Sequence, residues 1–247
     1  MSEGQELDLG REALPCFVVT ADQRDSRHQP DAVPALLEQL AARPTAPDAL
    51  PFERAAGDEV QGVLTSGTEV VQVLELLLRS GRWRAGIGVG TVEHPLPDSV
   101  RAARGPAFIA ARRAVERSHR GPQPLALEAN TDLEHATDPG LPALAHAEAA
   151  LWLWAGVLTR RTAEGWEVVD RLAEHSTQRE VAEALGVSPS AVSQRLRTAG
   201  ATEADRGAAL CAALLEAVRT GLSDPSGTLG DGPPAGRSTP STPPEDA

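Results

Sequence analysis

Between positions 188 and 197 the chain sets Ser188, Ser190, Ser193, Gln194, Arg195 and Arg197 around two apolar residues, Val192 and Leu196. Gln and Arg are the side chains that can pair two-pronged with adenine and guanine edges in the major groove, and short hydroxyls reach phosphates or bases. At about 100° per residue, Val192, Leu196 and Ala199 share one helical face, while Ser190, Gln194 and Arg197 fall on the opposite one with Ser193 and Thr198 beside them. Such a helix can be held down by one side and read a duplex with the other. Arg195 lies on the shoulder, suited to a phosphate, and Gln178 and Arg179 open the preceding helix where a backbone contact is expected.

The elements that must position this set are legible around it. Thr177 followed by Glu180 is a capping box, which starts a helix whose inward face is Val181, Ala182 and Leu185. Gly186 stops it, and Gly186-Val187-Ser188 leaves room for a tight corner. Ser188 then caps a second helix with Pro189 at its first position, where no backbone donor is lost. The whole stretch, 176–200, is expected to be a helix-turn-helix, the competing expectation being a helical hairpin with a polar face in solvent. The small Ala182, the glycine four residues later, Val192 and the Arg195-Leu196 pair resemble region four of sigma factors.

A second group of chemically capable residues stands in the first half. Asp22 and Asp58 are hard oxygen donors of the kind that hold magnesium at a phosphate. A plainer account makes Asp58 a turn residue and Asp22 the cap of a loop. Arg24, Ser26 and Arg27 next to Asp22 could cradle a phosphate or pair among themselves. The pattern around them predicts a strand at 16–20, a helix at 31–42, a hairpin of 52–56 and 60–64 across Gly57-Asp58-Glu59, a helix at 69–79, a Gly-rich strand at 83–92, a helix at 106–117 and a strand at 125–128. That order is α+β, with helices over an antiparallel sheet, ferredoxin-like in outline. Gly86, Gly88 and Gly90 lie inside a strand, where such residues permit close packing rather than cradling a dinucleotide.

TADQRDSR after the first strand, RAAGDE in the hairpin, GIGVG in the later strand and GPAFIAARRAVE in the next helix resemble class III nucleotide cyclases over 14–128. The resemblance implies metal binding at Asp22 and Asp58, a purine-recognising position at Arg54 and a transition-state arginine at Arg112. The family's asparagine falls at Phe108, which has no donor to replace it, so a vestigial nucleotide or metal site in a binding or structural domain is expected rather than turnover.

Beyond a Pro- and Gly-rich linker at 131–143, helices are expected at 145–161, 166–173 and 202–219, forming with the helix-turn-helix an all-α domain at 144–221. The helix at 145–161 is more apolar than one buried face requires, suited to the sheet domain or to a second subunit. His135 and His146 have no metal-ligand company. Residues 1–13 are polar and expected to fray, and 222–247, rich in Pro, Gly, Ser and Thr, are expected to stay disordered.

The net charge of -12 argues against nonspecific coating of nucleic acid, so any DNA contact is expected to be local and, at one weak copy each, made by a homodimer. All 23 basic residues are Arg; without Lys there is no P-loop lysine, Schiff-base amine or kinase-type ion pair. Cys16 and Cys211, far apart and flanked by apolar residues, predict buried thiols. No apolar run is long enough to cross a bilayer, no signal-peptide core is present, and a cytoplasmic location is expected. A cyclase-like first half joined to a C-terminal helix-turn-helix is similar to the SatD family, and this resemblance implies a regulator that binds double-stranded DNA, with no catalysis and no cofactor. The alternatives are a metal-dependent nucleotide sensor or enzyme, and an adaptor that binds another protein through its helical half.

Overall fold

The computed structural model describes residues 15–44, 46–130 and 140–222. It is α+β: five strands, β1 (Cys16–Gln23), β2 (Leu50–Ala56), β3 (Glu59–Leu64), β4 (Trp83–Gly90) and β5 (Leu125–Ala129), and eight helices, α1 (Val33–Ala41), α2 (Gly67–Ser80), α3 (Pro106–Ser118), α4 (Gly140–Leu158), α5 (Ala163–Glu174), α6 (Gln178–Leu185), α7 (Pro189–Thr198) and α8 (Ala201–Gly221). The frayed N-terminus, the first nine residues of the linker with His135, and the tail from Ser223 onward lie outside the described residues.

The strands form one sheet in the order β2-β3-β1-β4-β5. Pairing is antiparallel except at the edge, where β5 runs parallel to β4, so the sheet is mixed rather than wholly antiparallel as the pattern suggested. The reason is the β4–α3–β5 crossover, in which α3 carries the chain back so that β5 runs in the same direction as β4.

Alternation along β1 sorts the two faces. Phe17, Val19 and Ala21 join Val60, Leu64, Ile87, Val89, Leu125 and Leu127 in a core covered by α1, α2, α4 and α8. Cys16 and Val18 face the other way, toward Ala107 and Ala111 of α3. There Gly86 and Gly88 have no side chain because α3 has no room for one: a Cβ at either position would run into the backbone of α3 around Ala107, Ala111 and Val115. The close packing anticipated for these glycines is therefore backbone on backbone, helped by the fully buried Ala107, Ala110, Ala111 and Ala114.

The helical half does not have a core of its own throughout. Ala147, Leu151, Trp154, Ala155 and Leu158 of α4 and Cys211, Leu215 and Val218 of α8 belong to the same core as the sheet. A separate small core lies among α5, α6 and α7, built on Val168, Val181, Ala182, Val192 and Leu196, with Val187 of the corner and Ala201 of α8 packed against it. The helix expected at 145–161 thus begins earlier and ends at Leu158, and its second apolar side is taken up by α8 and the sheet.

Candidate functional site: the α6–α7 corner

Thr177 caps α6 as its sequence requires, its Oγ1 accepting the Glu180 N–H at 3.3 Å. The reciprocal half of the box is displaced by one residue: the Glu180 carboxylate accepts the N–H of Ser176, at 2.9 Å. Gly186 ends α6 with φ of 64°, the left-handed conformation that costs glycine least, and Val187 donates back to the Ala182 carbonyl at 3.0 Å. Ser188 Oγ accepts from the Ala191 N–H at 3.2 Å and Pro189 opens α7. Gly200, at φ of 60°, turns the chain directly into α8.

Burial divides α7 as its pattern predicts. Val192 and Leu196 are buried against Val168, Val181 and Ala182, while Gln194, Arg197 and Thr198 are exposed. Ser188, Ser190, Gln178 and Arg179 are exposed as well; Ser193 and Arg195 are half-buried. The Arg197 guanidinium lies along the helix, donating to Ser193 Oγ at 2.9 Å. Arg195 is engaged differently from the expectation of a phosphate ligand: its Nη1 stands 3.7 Å from the Glu167 carboxylate of α5. Arg160, which sequence reasoning passed over, borders Gln194, Arg195 and Thr198 around a depression at the start of α5. Its signal was the Arg160-Arg161-Thr162 run just ahead of a helix cap.

The second member of that run anchors the corner to the rest of the molecule. Arg161, only 8% exposed, donates from Nε to the Ala199 carbonyl at the end of α7, 2.9 Å away, and its guanidinium lies 4.3 Å from the centre of the Trp166 ring. Burial lowers the pKa of Arg161. Arg79, in the last turn of α2, also lies over Trp166, at 4.6 Å, and makes a two-pronged pair with Asp170 at 2.7 and 2.5 Å. That bond holds the Asp170 carboxyl below its ordinary range.

Of the residues singled out with Asp22 in the first half, the fold brings Asp58 and Arg112 toward it but not Arg54. Asp22 and Glu59 face one another across β1 and β3 on the α3 side of the sheet, and Arg112 of α3 donates to Glu59 at 3.1 Å and to Glu116 at 2.9 Å. His119 Nε2 is 3.6 Å from Asp22 Oδ2. Burial raises the Asp22 pKa first, the Asp58 charge raises it further, and His119, Arg84 and Arg112 oppose them. Glu59 is raised by burial as well, with Arg112 opposing. Glu59, His119 and Arg84 were missed because only folding brings them to Asp22. Arg54 does not join: its register partner Val60 lies on the other face, and its guanidinium holds Asp31 at 2.5 Å and the Gly57 carbonyl. Phe108 packs into the apolar cluster under α3, and Arg24 donates to the Gly81 carbonyl. Of the pair expected to hold a metal, Asp58 lies close enough to Asp22 for its charge to raise the Asp22 pKa, while among the described residues no group of three His, Cys, Asp or Glu side chains converges.

A family model for SatD matches residues 18–206, from β1 through the sheet and the α6–α7 corner into α8. This chain belongs to the SatD family. The matched span of this SatD member takes in both the sheet and the α6–α7 corner. No curated protein and no solved structure matches the chain. No helix among the described residues is long and apolar enough to cross a membrane.

Proposed function

We propose that this SatD-family protein is a regulator that binds double-stranded DNA as a dimer, α7 entering the major groove. One observation carries this: Gln194 and Arg197 are exposed on the free side of a helix whose opposite side, Val192 and Leu196, is buried against α5 and α6. Gln194 then has the reach for an adenine edge and Arg197 for a guanine, once it exchanges the Ser193 hydroxyl for the base. Gln178, Arg179, Ser188 and Ser190 supply phosphate and sugar contacts, and Arg195 serves a phosphate only by leaving Glu167. The order of caps and small residues supports the likeness to region four of sigma factors. The antiparallel order β2-β3-β1-β4 supports a ferredoxin-like, cyclase-like ancestry for the sheet domain, here used for assembly or for sensing a ligand.

Fluorescence anisotropy with bulk genomic duplex fragments at two salt concentrations tests the proposal. Affinity falls steeply with salt, and Arg197→Ala weakens binding at least about tenfold, the worth of one guanine contact. Unchanged affinity in that variant removes α7 as the reading helix. For the sheet domain, a thermal-shift screen of nucleotides, repeated with Asp22→Ala, detects any ligand that prefers the native state.

A further inference from the structure

The large exposed apolar side chains of the helical half lie on two helices that pack against each other. Leu153 of α4 is 76% exposed and Leu210 of α8 is 54% exposed. The helices pack through the residue next to Leu153 and the residue one turn before Leu210: the Trp154 ring fills the space that a side chain at Gly207 would need, and the Trp154 indole donates to the Ala204 carbonyl at 3.0 Å. Both helices carry exposed alanines near the leucines, Ala145 and Ala149 on α4 and Ala209, Ala213 and Ala217 on α8, with the exposed Arg206 one turn before Leu210. From Arg206 to Ala217 the one acidic residue of α8 is Glu216, which is half-buried and engaged by Arg219 and the Gly67 N–H, in a chain whose net charge is -12.

We infer that the α4–α8 face is the surface through which two copies of this chain associate, Leu153 and Leu210 packing against their counterparts across a two-fold axis. Two molecules of the same strong negative charge repel, and the approach costs least where acidic side chains are few. An isologous contact requires a patch complementary to itself, and alanine at 209, 213 and 217 lets two α8 helices approach closely along their length. The segment that follows α8 has two large apolar residues, Leu222, which packs against the main core, and Leu229, so it has little with which to cover the patch. The location also suits the proposed activity, on which it does not depend. Because α8 starts from the end of α7 at Gly200, a dimer built on α8 carries each reading helix at a fixed place relative to the axis.

Sedimentation of the full chain at micromolar concentration, without DNA, tests this. The expected mass is about twice the 25.9 kDa of one chain, and Leu210→Glu or Leu153→Glu raises the dissociation constant at least about tenfold by placing a charge at the contact centre. Both residues are solvent-exposed, so both variants keep the wild-type circular dichroism. Ile109→Glu, on the comparably exposed Ile109 of α3, leaves the dimer intact. A monomeric wild-type protein, or a dimer untouched by either leucine variant or dissociated by Ile109→Glu, overturns the inference. A dimer with the expected variants but no salt-dependent DNA binding leaves the surface standing and removes the DNA proposal alone.

Discussion

Asp22 shows how a residue chosen from a pattern acquires a different significance from its surroundings. It sits at the end of a buried strand, so its carboxylate loses solvation, and the charge at Asp58 adds to the penalty. Its folded pKa therefore lies above the ordinary value. Below the ordinary value both states are protonated and nothing is lost; above the raised value both are ionised and the fold carries the full penalty. Asp22→Asn should accordingly melt higher than the wild type at neutral pH, with an advantage that fades as the pH falls to about 4, measured by thermal denaturation in matched buffers. A variant less stable than wild type at neutral pH would mean that the contacts to His119, Arg84 and Arg112 outweigh desolvation. Arg112 was reached only through the cyclase resemblance, and nothing in the sequence around Asp22 announced His119 or Arg84, because they come from the end of α3 and from β4.

Elements are where local sequence governs most completely. The α6–α7 corner is written in Thr177, Gly186, Ser188 and Pro189, each acting on a backbone group within five residues, and the structure departs only in which N–H the Glu180 carboxylate accepts. The β4–α3 contact is different in kind. Gly88 is required not by its own turn but by a helix that begins sixteen residues after the end of β4 and lies against it. Gly88→Ala should cost about 3 kcal/mol or more, since the added methyl meets backbone that cannot rotate away. Chemical denaturation followed by circular dichroism reads that loss, and Gly57→Ala, with open space at its Cβ but a φ of 54°, should cost about 1 kcal/mol.

At the scale of the molecule, the helix-turn-helix unit is tied to the sheet by α8, whose far end is part of the sheet's core, and by the Arg79, Trp166, Asp170 and Arg161 cluster. Arg79→Ala removes a half-exposed ion pair and a cation–π contact, together worth about 1 kcal/mol. Amide exchange should then quicken in α5–α7 while β1 and β4 stay protected; equal loosening everywhere would show that the cluster stabilises the fold without orienting the corner. The sequence by itself determined the strands and helices, the buried and open sides of α7 and the absence of lysine chemistry, because each depends on spacing along one stretch of chain. Only the tertiary structure decided that Arg54 lies across the sheet from Asp22, that Arg195 answers to Glu167, and that α4 and α8 complete the sheet's core. Those outcomes depend on which face of each element meets which neighbour, and a face acquires a neighbour only when distant segments pack.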